Sequence, residues 1–364
     1  KKPSDAQINH CLAPLIDDLL EFWSPGVYFS KTALRPFGRS VLAALIPVVC
    51  DIMGARQVGG FTGHMAKLFC SFCYLRSDQI ENFDMKKWPL RTAEKHRADA
   101  ADWLAAKTIE ERTRLLKQNG ARHSELLRLP YWNPVQFTIL DTMHAHFLRM
   151  ILEHIRRIWG VNLSGSSGEG LASPTTAPPR DPSNDGLVKA LNQLKKTSDD
   201  ESSAERMSSI SRPVWKDQGR LELPSFLSPL PWQFGHETRK LSADQWRSVG
   251  MIHLVVTLIR LWGFDGGRKG LMLFNFMHLV TAIHIANMRT MSPALANYYT
   301  YHCKLYLEGL LSLYKEAKIQ PTHHLSLHLE SLLVELGPVH SWRAWAFERF
   351  NYMLQKTKTN LRFG

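Results

Sequence analysis

Cysteine is scarce and odd in number: five residues, two of them in one tight Cys70-x-x-Cys73. That usage argues against a disulfide framework and for a reducing compartment. No apolar run approaches the ~18 residues of a membrane span; the longest, Val41 to Cys50, has the length of a buried strand. An initiator methionine and a signal-peptide pattern are both missing, since the chain opens Lys1-Lys2-Pro3-Ser4. It stops at Leu361-Arg362-Phe363-Gly364 without a recognisable ending, so the expectation is a fragment cut at both ends. Acidic residues are too few to balance the basic ones, 33 against 45. The net charge of +12 and pI near 9.5 favour an anionic partner such as nucleic acid. What is present is 364 residues with 44% hydrophobic content, enough for two or three domains or one large interrupted one.

Along the chain, Leu12, Leu15, Ile16, Leu19, Leu20 and Trp23 form an apolar helical stripe, stopped by Ser24-Pro25-Gly26. Val27 to Ser30 is short and β-prone. Val41 to Cys50 reads as a buried strand despite Pro47, with Asp51 at its C-terminal edge. Thr92 to Gly120 predicts a helical pair. Phe137 to Leu140 reads as a short strand, and Asp141 as the N-cap of a helix running to Trp159. From Asn162 to about Pro213, Gly, Ser, Pro, Thr and acidic residues dominate. Such a stretch cannot offset its ordering entropy and is expected to be disordered, with a short helix around Leu187 to Lys195. Helices are expected over 242–262, 269–288, 293–318 and 342–358.

The chemistry concentrates in one order: Asp51, Cys70-x-x-Cys73, His323-x₄-His328, Glu348. A CxxC and a distant histidine pair can close one tetrahedral zinc site. That closure would bring Asp51 and Glu348, each about twenty residues outside a ligand pair, into one neighbourhood. Two carboxylates meeting there would seat a divalent cation and phosphoryl-transfer chemistry. Each piece also has an ordinary reading. CxxC occurs as a zinc pair, a redox pair or by chance, and Phe69 and Phe72 with no thioredoxin-like context disfavour redox. Either His323 or His324 can pair with His328: the i,i+4 pair faces one way on a helix, whereas the i,i+5 pair needs a loop or a frayed first turn. Asp51 alone is a cap or a salt-bridge partner. Glu348 before Arg349 is a solvated pair, unless Trp342, Trp345 and Phe350 mark a packed helix, where a carboxylate needs a partner or a metal. His144 is a core histidine bonded to Asp141 or a residue bordering the site.

The chain resembles the transposase of CACTA (En/Spm-type) DNA transposons in their fungal form. The resemblance runs through Asn9-His10-x₃-Pro14-Leu15-x-Asp17-Asp18, Glu21-Phe22-Trp23, Cys50-Asp51, Gly59-Gly60-Phe61-x₂-His64 and Cys70-x-x-Cys73. It continues through Trp88-x-x-Arg91-Thr92, Ser124 to Tyr131 and Asp141-x-Met143-His144-x₂-Phe147-Leu148. Leu241 to Trp246, His323-His324-x₃-His328, Gly337-Pro338 and Phe347-Glu348-Arg349 complete it. The matches cover nearly the whole chain except the 162–213 insert and are specific only together.

That resemblance implies an α+β fold, predominantly helical. A partial ribonuclease-H-like core would be interrupted by a large, mostly α-helical insertion, in a plan related to the Transib transposases and the V(D)J recombinase. The implied domains are 1–75, 76–320 and 321–364. Asp51 and Glu348 take the places of the second and third catalytic carboxylates. Cys70, Cys73, His323 and His328 take those of a structural Zn²⁺ site, and His144 that of the family's Met–His signature. The first catalytic Asp would lie upstream of Lys1, Asp5, Asp17 and Asp18 being poor substitutes, so the chain carries two carboxylates of three. The implied activity is Mg²⁺-dependent nicking and strand transfer on double-stranded DNA at transposon ends, with two Mg²⁺ ions about 3.5–4 Å apart. It further implies a nuclear location, synapsis by a homo-oligomer, and neither a membrane nor a small-molecule substrate. Arg343, Arg349, Lys356, Lys358, Arg362 and the basic residues of Lys86–Arg128 would contact phosphates. The alternatives are a catalytically dead or domesticated descendant that binds DNA or protein, and an unrelated zinc hydrolase with an open coordination position.

Overall fold

In a computed structural model of the chain, residues 3–161, 210, 213–225, 227–231, 234 and 241–357 are described. The expected disordered insert and its short helix fall largely outside these residues, as do Lys358 and Arg362. The protein is predominantly helical, and among the described residues the sheet is a single two-stranded one. Two compact units divide the chain: Lys1–Asp141 with Trp342–Gly364, and Thr142–Ser341. The segment after the CxxC, which folds back onto it, belongs to the first of these units.

In the first unit, α1 (Asp5–Trp23) begins seven residues before the apolar stripe, at a Ser4–Gln7 capping box, and packs on the Glu125–Arg128 turn and on α2 (Ile52–Gly59). The hairpin of β1 (Val27–Phe29) and β2 (Arg39–Val41) pairs Val27 with Val41. Gly26 enters it at φ 91°, where a side chain would be strained. The helical pair predicted over 92–120 is present as α3 (Ala93–Ala105) and α4 (Ile109–Asn119), capped by Thr92 and Thr108.

The Val41–Cys50 run is not a strand. Beyond Val41 it has no ladder; its amides find separate partners instead. The Ala43 N–H donates to Phe22 O, Leu45 N–H to the Tyr131 hydroxyl and Val48 N–H to Phe137 O. Pro47 has no amide to give. The run's apolar character serves as a lid over Ile16, Leu126, Leu129 and Trp132. The strand expected at 137–140 reduces to one parallel bridge, Val48 with Thr138, after the short α5 (Pro134–Phe137), which starts from the Asn133 cap.

The second unit opens with two π-helical segments, α6 (Met143–Ile151) and α7 (His154–Ile158). It continues through α8 (Ala243–Ser248), a π turn at Val249–His253, and α9 (Leu254–Trp262). Then follow α10 (Arg268–Ala286), α11 (Pro293–Leu313), α12 (Pro321–Leu327) and α13 (Leu329–Leu336). α10 has the length and composition of a membrane span, but most of it is buried, packed against α11 and α9, as befits a core helix. Aromatic rings fill this core: Trp159, Phe276 and Tyr306 surround His154, whose Nδ1 meets the Tyr306 hydroxyl at 3.1 Å. Burial pushes His154 down to about 3, so it is neutral. The chain then returns to the first unit and ends, among the described residues, in α14 (Trp345–Lys356).

Candidate metal centre and carboxylate rim

Cys70 and Cys73 sit on a tight turn with no solvent exposure. The Phe72 N–H donates to the Cys70 sulfur at 3.3 Å, and the backbone N–H of Leu75 donates to the Cys73 sulfur. Each sulfur thus accepts an amide two residues onward, an arrangement that favours the thiolate over the thiol. In the absence of a cation, the Cys70 thiol and then burial push Cys73 strongly upward, the cost a bound cation would remove. Arg56 and Arg91, both nearly buried, lie close enough to Cys70 to act on it electrostatically.

The histidines are set by where α12 begins. Because the helix starts at Pro321, residues 324 and 328 share a face, and their Nε2 atoms stand 3.2 Å apart. A tetrahedron with Zn–N bonds of about 2.0–2.1 Å has an edge of about 3.3–3.4 Å, so the pair already stands at ligand spacing. His323, expected as the first ligand, is engaged elsewhere: its Nδ1 accepts the Gln320 N–H at 3.1 Å as the far side of the α12 capping box. Its buried ring packs edge-on against Tyr306, and burial pushes it down to about 4.

Cys70, Cys73, His324 and His328 form a buried Cys₂His₂ group with one potential ligand atom from each within 4.8 Å of the others. Two thiolates and two imidazoles suit zinc or a similar soft-to-borderline ion, and four protein ligands close the coordination sphere. Such a group could bind a metal such as zinc; it is not the open site a zinc hydrolase needs.

The carboxylates have a different setting. Asp51 does not follow a strand. It is the exposed N-cap of α2, its Oδ1 accepting the Gly54 N–H at 2.6 Å. Glu348 lies in the first turn of α14 and is also exposed. The packed helix expected there is only half present: Trp342 and Ala344 are buried, but Phe347 and Phe350 are more than half exposed.

Asp141 is fully buried. Its Oδ1 accepts the N–H of Ala344, the N-cap residue of α14, at 2.8 Å. Asp141 therefore supports a helix start 203 residues away, while at the start of α6 Thr142 is the N-cap residue and makes no side-chain cap bond. Cys50 reports on the charges nearby: burial first, then Asp51 and Asp141, push its thiol up to about 11. Cys50, Asp51, Asp141 and the helix of Glu348 all belong to the first unit. Sequence reasoning missed Asp141 in this role; an acidic residue at the end of an apolar run was the available signal. His144 belongs to the second unit, half-buried in the first turn of α6.

Much of the basic charge of 86–128 supports the fold. Arg97 donates to the carbonyls of Leu127, Leu129 and Trp132, and Arg122 pairs with Asp5 at 2.9 Å. Arg128 bridges Asp17 and Glu125, while Lys87 and Lys95 pair with Asp84 and Asp99. Just before α14, Arg343 stacks over Trp345, and at its end Lys356 lies over Tyr352. No family model matches the chain, and no curated protein matches it.

Proposed function

We propose that this chain is part of a DDE-type DNA transposase, with Asp51 and Glu348 as two of its metal-holding carboxylates. The observation that carries the reading is the buried Cys₂His₂ group. It uses the CxxC and a histidine pair that the two carboxylates flank in sequence, and Asp141 holds the start of the helix that carries Glu348. In this reading Cys70, Cys73, His324 and His328 hold a structural Zn²⁺, and Asp51 and Glu348 hold catalytic Mg²⁺. Bound there, divalent cations would activate the attacking water and offset charge developing on the phosphate. Exposure suits both carboxylates to that task, since a duplex must reach them. Arg343, Arg349 and Lys356 supply phosphate contacts alongside Glu348. The partners are double-stranded DNA and further copies of the chain, and the location is nuclear.

One observation favours the alternative of a descendant that binds without cutting: the Asp51 carboxylate is engaged as a helix cap at the positive end of α2, a poor place for a cation. The experiment is Mg²⁺-dependent nicking of transposon-end DNA by a protein carrying the upstream segment, beside its Asp51→Asn variant. Asn caps as well as Asp but lacks the charge. Nicking lost in the variant supports the proposal. Robust cleavage by the variant removes Asp51 from the site, and an inactive parent protein supports the alternative.

A further inference from the structure

Arg91 is almost completely buried, and among the described residues no carboxylate lies within ion-pair distance of it. A buried guanidinium in that position is costly unless its geometry is used. Its Nε–H is shared between the carbonyls of Cys70, at 3.0 Å, and Cys73, at 3.3 Å. One Nη donates to Asn119 O at 3.1 Å, and the Arg91 backbone N–H donates to Phe72 O at 2.9 Å. The guanidinium lies over the Tyr74 ring, 4.2 Å from its centroid, with Phe61 on another side. Room for it depends on Gly120, at φ 72°, where an added Cβ would come within 2.5 Å of the second Nη. The strand contact beside it, Cys73 against Leu90 with Tyr74 N–H donating to Pro89 O, fixes the same turn from the backbone side.

We infer that Arg91 is the positioning residue of the metal-binding turn: by holding both cysteine carbonyls from one nitrogen it sets the spacing of the two sulfurs and so tunes metal affinity and geometry. This rests on the metal reading of the Cys₂His₂ group. Lysine would keep the charge but cannot reach two carbonyls and Asn119 from one rigid plane. Alanine removes charge and fork together. Loss of an outer-sphere support of this kind typically weakens metal binding by about 10–100-fold.

The test measures Zn²⁺ affinity by competition with a chromophoric chelator, and the visible absorption of the Co²⁺-substituted protein, in the wild type, Arg91→Lys and Arg91→Ala. The expected result is wild-type binding near one equivalent with a tetrahedral Co²⁺ spectrum. Arg91→Lys should then lose about tenfold or more in affinity with shifted Co²⁺ bands. Arg91→Ala is the variant at risk of not folding, so the lysine variant decides. If folded Arg91→Lys keeps wild-type affinity and spectrum, the role of Arg91 is overturned while the metal site stands. If the wild type binds neither ion, the metal reading itself falls and the inference with it.

Discussion

Two places in the first unit use the same kinds of polar groups in opposite ways. At the cysteine turn the ligand-bearing groups are buried and held: both sulfurs accept backbone amides, both cysteine carbonyls accept from Arg91, and Arg91 lies over the Tyr74 ring. At the carboxylate rim Asp51 and Glu348 are exposed and each sits at a helix start. Asp141, which accepts from the Ala344 N–H at the start of the Glu348 helix, is buried. The difference separates a site built to be closed from one built to be reached. Four buried ligands would leave a bound ion nothing further to coordinate, so in the proposed reading the chemistry falls to the exposed carboxylates.

The largest effect should come from breaking the closed site. Cys73→Ser, or chelation of the wild type, is expected to remove about one equivalent of zinc and lower the thermal midpoint steeply, since structural zinc supplies on the order of 10 kcal/mol of apparent binding energy. Metal analysis and calorimetry with and without chelator measure this. An unchanged midpoint would mean that no metal stabilises the turn.

A smaller break targets the support of the Glu348 helix. Asp141→Ala leaves the Ala344 N–H without its acceptor and should cost about 1–3 kcal/mol, fraying the start of α14. Asp141→Asn keeps an oxygen acceptor and should recover much of that loss. Amide exchange at Ala344 to Glu348 reads the local effect and thermal unfolding the global one; equal, small losses in both variants would detach Asp141 from the helix of Glu348.

How much of this was legible follows the same divide. The cysteine turn was readable because its chemistry is local: two sulfurs three residues apart state their own geometry. The choice between His323 and His324 was not, because it depends on α12 beginning at Pro321 and on the capping box that takes up His323 Nδ1. Asp141 was unreadable as the support of α14, since nothing local marks a partner 203 residues away. Helices of strong period, such as α3, α4 and α11, fell close to expectation. The run to Cys50 misled because apolar composition signals burial of side chains and says nothing of where the amides go.

Acid titration sharpens the comparison from the buried side. His96, packed on Phe61 at 4.3 Å, is pushed down to about 3, by burial first and then by Arg91. Its folded value lies below the unfolded one near 6.5, so below that pH the unfolded chain takes the proton and the folded one does not. Stability from this group is intact above about pH 6.5 and is lost as pH falls toward about 3. Between about pH 6.5 and pH 5 the loss is about 2 kcal/mol. Urea unfolding of the wild type and His96→Leu at both pH values isolates it: the variant should lose about that much less. Parallel losses would place His96 in contact with water.

The smallest stability effect belongs to Asp51, and its value lies in being small. As N-cap of α2 its carboxylate holds the Gly54 amide, so Asp51→Ala should cost about 1 kcal/mol while Asp51→Asn costs almost nothing. Glu348, in the first turn of α14, adds a favourable but screened interaction with that helix end. A cation approaching either carboxylate would compete with its helix terminus. Stability of the Asp51→Asn protein should therefore match the wild type without Mg²⁺, and fall behind it when millimolar Mg²⁺ is added if the rim binds the ion. Paired melts with and without Mg²⁺ decide this independently of any nuclease assay. An identical Mg²⁺ response in the two proteins would leave Asp51 a helix cap and nothing more, and would move the open site off the rim.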